Sequence, residues 1–316
     1  MKLTLEVPLK KAKQPLNYSH KTAFIGSCFS DYIFNRLAYF EFDCIANPLG
    51  TFFHPYSIEN FLKLVYKKHR FTSAAVFQHQ GIFRCFDAHS KLSATSSEKL
   101  VNQLNEVISH THAYLQQTNF VWISLGSAFV YFHKKENRYV ANCHQLPSKE
   151  FKKELTSVSD LFKSLYTSVN LLKSLNPSIQ VGFTISPVRH VKDGIIENNR
   201  SKSHLQVALH DLLAKDPSLN YFPAFEIFQD ELRDYRFYAS DLVHPNRLGI
   251  DYVWEKFKAT HIESSVFELM NKIDQYNRGV NHKSRHPESE KHQQFLLFQQ
   301  RLKKEIDLEK AKWKPA

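Results

Sequence analysis

Glycine and cysteine are scarce in this chain, and no long apolar run occurs. Eight glycines in 316 residues supply no Gly-x-Gly-x-x-Gly and no Walker sequence. A glycine-rich phosphate loop is therefore hard to build, and a nucleotide-dependent mechanism is disfavoured. The four cysteines, Cys28, Cys44, Cys85 and Cys143, are scattered, with no Cys-x-x-Cys pair. They spell neither a zinc site nor a disulfide framework, and they point to a reducing, cytoplasmic setting. Nothing approaches the roughly 18 apolar residues that a membrane-spanning helix needs. Glu6 interrupts the N-terminal segment, which argues against a secretory leader.

What is present is enough apolar material for a full core, with 42% hydrophobic and 14% aromatic residues. The length suggests one large domain, or one domain plus an appendage. A net charge of +11 arises from 42 basic and 31 acidic residues. Such a balance can favour anionic partners, but the charge is spread along the chain and reads first as a solvated basic surface. No specific nucleic-acid partner is expected.

The hydrophobic periods alternate between strand and helix. Residues 22–26, 120–125 and 179–185 read as short buried strands. Residues 29–40, 56–69, 97–117, 154–175, 199–214 and 247–275 read as helices. Hairpins are expected over 75–87, turning at Gln80-Gly81, and over 129–141, turning at 134–137. Strands separated by helices of this length imply βαβ units and a mainly parallel sheet, whose ligands sit at the carboxyl ends of the strands. Three polar clusters fall there: Ser27-Cys28, Gly126-Ser127 and Ser186-Pro187-Val188-Arg189-His190.

A fourth element completes a chemical pattern. Asp241 and His244 stand three residues apart, and Pro245 disfavours α conformation at His244. A short turn of this kind lets the carboxylate reach the ring and hold its tautomer, the orienting half of a hydrolase triad. The nucleophile would come from the turn Gly26-Ser27-Cys28. Beyond residue 278 the character changes. Phe295, Phe298, Leu302 and Ile306 form one helical stripe, read as packing on the body or on a second subunit. Glu305, Asp307 and Glu309 dilute its basic face and disfavour a membrane-surface role. The expected division is a catalytic domain over 1–277 and a charged amphipathic helix over 278–316.

The segment Phe24-Ile25-Gly26-Ser27-Cys28-Phe29-Ser30 resembles the signature of the GSCFA family, with Ser30 where the family commonly has Ala. An ordered set of further pieces looks similar, among them Asn47-Pro48-Leu49-Gly50, Asp87-Ala88-His89-Ser90 and Asn142-Cys143-His144. Leu125-Gly126-Ser127 and Asp241-Leu242-Val243-His244-Pro245 belong to the same set. The family looks distantly related to the SGNH hydrolases. That relation implies a three-layer α/β/α sandwich of SGNH or flavodoxin-like type, with inserted hairpins and a C-terminal helical appendage. It also implies acyl-ester chemistry. No cofactor and no metal are expected.

Aligned on Gly26, the SGNH nucleophile slot falls on Cys28, and a one-residue shift would place Ser27 there. Cys28 is the favoured of the two, since a thiolate is the better nucleophile when an imidazole or a helix N-terminus lowers its pKa. Gly50 is the candidate oxyanion donor, with Asn47 or Asn142 in place of an asparagine missing after the central strand, where the chain has Gly126-Ser127. His144 is a candidate acid or base. Arg189, with His190 and Lys202, is a candidate for an anionic substrate group. Asp87, His89 and His144 lack tight metal-ligand spacing. The expected substrate is an ester or thioester on a small molecule or glycan, with a homo-oligomer through the C-terminal helix as an option. A non-catalytic module binding an anionic ligand or glycan is the competing expectation.

Overall fold

The structure, a computed structural model, describes residues 5–282 and 284–313. Residues 1–4, where the segment read as lacking a leader begins, and Lys283 and 314–316, which fall in the expected appendage, lie outside the described residues.

The chain starts with β1 (Lys21–Gly26), α1 (Cys28–Tyr39), β2 (Asp43–Ala46) and α2 (Pro55–Tyr66). The hairpin β3 (Phe77–His79) and β4 (Ile82–Arg84) precedes α3 (Ser97–Leu115) and β5 (Phe120–Leu125). Next come β6 (Phe129–His133), β7 (Arg138–Val140), β8 (Phe151–Leu155) and α4 (Val158–Leu175). β9 (Gln180–Ile185), α5 (Ile195–Lys215), β10 (Asn220–Tyr221) and the single turn α6 (Ala224–Glu226) follow. The last helices are α7 (Arg247–His261), α8 (Phe267–Val280) and α9 (Glu290–Ala311).

Five strands form the central sheet in the order β10-β9-β5-β1-β2, every pair parallel. β1, β5 and β9 are apolar runs because both faces are covered. Ala23, Ile25, Val121, Ile123, Val181 and Phe183 join the core under α2, α3, α4 and α5. Phe24, Phe120 and Trp122 join the core under α1 and α7. The result is a three-layer α/β/α sandwich. From β1 the chain steps outward to β2, then crosses back to β5 and continues to β9 and β10. The order reverses between β1 and β5, so the ligand crevice belongs at the carboxyl ends of these two strands.

Gly26 makes that crevice tight. Its φ is +130°, and an added Cβ would land on the carbonyl oxygen of Ser124 in β5. Gly26→Ala is therefore expected to cost about 3 kcal/mol or more, through strain combined with overpacking. Urea unfolding checks this, and a wild-type midpoint would contradict so close a strand approach.

Several elements differ from the sequence reading. β2 and β10 are edge strands too short to show a period. Residues 151–155, partly assigned to a helix, instead form β8, which pairs antiparallel with β6 and turns the expected hairpin into a three-stranded sheet. The helix over 247–275 is broken at 262–266, where Ile262 bridges to Leu16 and Ser264–Val266 form a 3-10 turn. The boundary expected at 277/278 falls inside α8. In α9, Leu302 and Ile306 pack on Leu269 and Ile273 of α8, and Lys303 and Lys310 reach Glu41. Phe298 of the same stripe stays exposed and Phe295 only half-buried, while Gln299 is buried near Gly279. The tail thus packs on the body through its second half. Among the described residues no helix is long and apolar enough to cross a membrane.

Candidate active site

β1 delivers Ser27 and Cys28 to the crevice in different states. Ser27 has extended backbone and N-caps α1, its Oγ accepting weakly from the Phe29 N–H at 3.4 Å. It is fully buried, its Oγ lies 2.5 Å from Ser124 Oγ, and its N–H donates to the Ser124 carbonyl at 2.9 Å. This hydroxyl is a strand-to-strand tie. Cys28 opens the helix and is only part-buried. Among the described residues its N–H has no protein acceptor. Burial pushes the thiol above its ordinary range and Asp31 pushes it further, while Lys202 and the N–H groups of Cys28 and Phe29 pull it down without reversing the shift. The lowered pKa expected from the helix N-terminus is thus outweighed by desolvation, and Cys28 rests as a thiol.

The turn at 241–244 forms as its spacing predicts. Asp241 Oδ2 lies 2.7 Å from His244 Nδ1, and Asp241 Oδ1 accepts from the N–H groups of Val243 and His244 at 2.9 Å each. Leu242 takes φ +58° to close the turn. Asn246 clamps the loop by donating to the Arg236 and Tyr238 carbonyls, and its Oδ1 caps α7. These N–H bonds, with the imidazole, hold the Asp241 carboxyl down at about 2. A carboxylate accepts only, so His244 Nδ1 carries the proton and Nε2 presents a lone pair. Among the described residues Nε2 has no partner, and no hydrogen bond joins His244 to Cys28. Phe29 and Tyr32 of α1 line one small cavity with Pro187 and Pro245, which brings the start of α1 close to the 241–244 turn, and after burial the charges of Cys28 and Asp241 both raise the Tyr32 phenol.

Lys202, on α5, is 2% exposed. Its Nζ donates to the carbonyls of Gly126 and Ser186, each at 2.7 Å, just past the ends of β5 and β9. Burial pushes this ammonium down to about 7. His190 stacks edge-on against Phe53, and its ring is lowered to about 4 by burial first, then by Lys202, with His244 contributing.

Most of the expected oxyanion donors are engaged elsewhere. The Gly50 N–H donates to the Asn47 carbonyl at 2.7 Å. Asn47 Oδ1 accepts from the Gly26 N–H, and its Nδ2 donates to Asp31, each at 2.8 Å. Asn142 Oδ1 accepts from the His144 N–H. His144 is buried beside Phe77 and Phe86, with Nε2 donating to the Cys85 carbonyl at 2.7 Å. The N–H groups of Gly126 and Ser127 both go to the Phe53 carbonyl, and Ser127 Oγ accepts from the Phe129 N–H. Asp87 is held by Asn60 and Arg138. Arg189 is bound by the side-chain oxygens of Asn199 and Gln229, with no carboxylate on it among the described residues. The structure therefore groups Cys28, Tyr32, Arg189, His190, Lys202, Asp241 and His244, and spends Asn47, Gly50, Asn142 and His144 on structure.

A family model, GSCFA family, matches residues 21–257. The chain belongs to the GSCFA family. No curated protein matches it significantly. The matched span of this GSCFA protein runs from β1 into α7 and contains every residue of the group above.

Sequence reasoning offered Lys202 for an anionic substrate group without foreseeing its burial, and it missed Phe53, Tyr32 and Ser124. A signal for Lys202 existed. Counting back from Leu212 at helical spacing gives Leu209, Ala208, Leu205, Lys202, Ser201 and Asn198, which is the buried face of α5.

Buried neutral histidines make a pH prediction for this GSCFA protein. Burial lowers His54 to about 3, and His144 and His261 to about 4. Their folded values lie below the unfolded value, so between about pH 6.5 and 4 the unfolded chain binds more protons and stability drops as the pH is lowered. Each unit of offset corresponds to about 1.4 kcal/mol. The Tm should fall progressively below about pH 6.5; a Tm flat from pH 7 to 4 would contradict the buried neutral state.

Proposed function

We propose that this protein is an SGNH-like hydrolase or acyltransferase that cleaves an ester or thioester through a covalent acyl-enzyme. The observation that carries this reading is the 2.7 Å Asp241–His244 pair with its free Nε2, grouped with a part-buried cysteine at the start of α1. His244 Nε2 takes the Cys28 proton, directly or through one water, since such contacts often tighten only when substrate binds. Sγ then bonds to the acyl carbon and the carbonyl π pair moves to oxygen, where the Cys28 N–H at the positive end of α1 receives it. As the carbonyl re-forms, the bond to the leaving oxygen or sulfur breaks, and His244 returns the proton to it. Water or an acceptor hydroxyl releases the acyl group by the same steps. Arg189 suits an anionic group on the substrate. The four free cysteines fit a reducing, cytoplasmic setting.

The test is covalent labelling of the folded protein with a chloroacetamide and, separately, a fluorophosphonate, with adducts mapped by mass spectrometry. Selective labelling at Cys28 that drops in His244→Ala supports the reading. No selective label at Cys28 or Ser27 rejects it.

One set of observations favours a second reading, a non-catalytic module that binds an anionic ligand. The Asn47 amide and the Gly50, Gly126 and Ser127 N–H groups are all engaged by protein acceptors, and Asn142 is turned so that its Oδ1 accepts from the His144 N–H. Function that survives His244→Ala and weakens steeply with salt would select this reading.

A further inference from the structure

A buried lysine either gives up its proton or finds a counter-charge, and Lys202 has no carboxylate on it among the described residues. Two of its three ammonium protons go to the Gly126 and Ser186 carbonyls. The third has no partner, and no carboxylate pairs with Nζ among the described residues. An unpaired buried ammonium is costly, so a sequence that could place leucine on this face of α5 gains nothing in stability from lysine. The carbonyls that hold it fix Nζ at the carboxyl ends of β5 and β9, and Cys28 comes close because its neighbour Ser27 is bonded to Ser124, two residues before Gly126. The charged and titratable groups acting there are Cys28 on α1, Arg189 and His190 after β9, and Asp31 one turn along α1 from Cys28. Arg189 and His190 are cationic or neutral, and Asp31 is bound by Asn47. Cys28 is the group whose ionisation would supply the missing negative charge.

We propose that Lys202 is the counter-ion of the Cys28 thiolate. The S–H bond breaks, the proton leaves to a base, and the charge left on Sγ is balanced by the Lys202 ammonium. This rests on the reading of Cys28 as nucleophile and assigns a different residue from the base. His244 moves the proton, and Lys202 makes the resulting charge tolerable inside the protein. The opposing shifts of the two groups agree with such a pair. Desolvation raises the thiol and lowers the ammonium, and each group's charge pulls the other back.

The experiment needs no substrate. The rate of Cys28 alkylation by iodoacetamide is followed by mass spectrometry from pH 6 to 10.5, with the part-buried Cys143 as internal reference. In Lys202→Met the Cys28 profile should move up by at least one pH unit, which makes alkylation at pH 7.5 about tenfold slower or more, while Cys143 is unchanged. A Lys202 that only ties strand ends would lower Tm without moving the profile. Superposable Cys28 profiles in folded wild type and Lys202→Met overturn the proposal.

If Lys202→Met does not fold, Cys28→Asp and Cys28→Asn answer the same question. A fixed anion at position 28 should give the higher Tm at pH 6, despite Asp31, and a higher Tm for Cys28→Asn overturns the pairing. A Lys202-dependent profile without His244-dependent labelling would keep this pair and remove the hydrolase reading.

Discussion

Cys28→Ala is expected to abolish turnover of an activated thioester or aryl ester, by three orders of magnitude or more, because the covalent route then has no nucleophile. Ser27→Ala should leave the chemistry nearly intact and act on stability instead. It removes an N-cap and leaves Ser124 Oγ without its 2.5 Å partner inside the core. The expected cost is about 2 kcal/mol. The two neighbouring variants should therefore separate cleanly, one losing kcat/KM with a normal urea midpoint, the other shifting the midpoint with near-normal kcat/KM. The reverse pattern would make Ser27 the nucleophile and require the Ser27–Ser124 tie to open during catalysis. Cys28→Ser is informative as well. A hydroxyl in the same desolvated position ionises far less readily than a thiol, so rates close to Cys28→Ala are expected.

Much of the fold was legible because parallel sheets write themselves into sequence. Central strands covered on both faces must be apolar throughout, which made β1, β5 and β9 readable at residues 22–26, 120–125 and 179–185. The edge strands carry no such demand. Asp43-Cys44-Ile45-Ala46 and Asn220-Tyr221 are short and only part-buried, and their strand state comes from pairing to β1 and β9, which is tertiary information. The break at 262–266 was hidden for a similar reason, since the long-range bridge from Ile262 to Leu16 ends α7 without a glycine or proline.

The candidate site divides along the same line. Asp241 and His244 are three residues apart, so a local turn suffices to join them, and the spacing announced it. The oxyanion donors depended on which backbone groups were already used, and that is set by contacts across the fold. Gly50 N–H closes a turn on Asn47 instead, and Asn47 spans to Gly26 and Asp31. The burial of Lys202 was not foreseen because a lysine reads as a surface residue unless the period of its whole helix is counted. Polar residues at strand ends are thus visible from the sequence as a group, while their division into chemistry and scaffold is not.

His244→Ala should lower kcat by roughly two to four orders of magnitude, the usual worth of a positioned general base. Both members of the pair are about half exposed, with side-chain exposures of 45% and 50%, so the loss should come with little change in stability. Asp241→Asn is the sharper test. The asparagine Oδ1 can keep accepting from the Val243 and His244 N–H groups, which preserves the turn. Its amide NH2 would then donate to His244 Nδ1 and force the ring proton onto Nε2, where the base is needed. A conservative change that leaves the loop in place should therefore cost nearly as much as removing the imidazole. Asp241→Ala would lose the turn as well, and its defect would mix both effects. Asp241 is held at about pH 2, so an acid limb in the rate profile above about pH 4 would not report its protonation. Full activity in Asp241→Asn would show that the tautomer is irrelevant, and with it the role of His244 as base would fall.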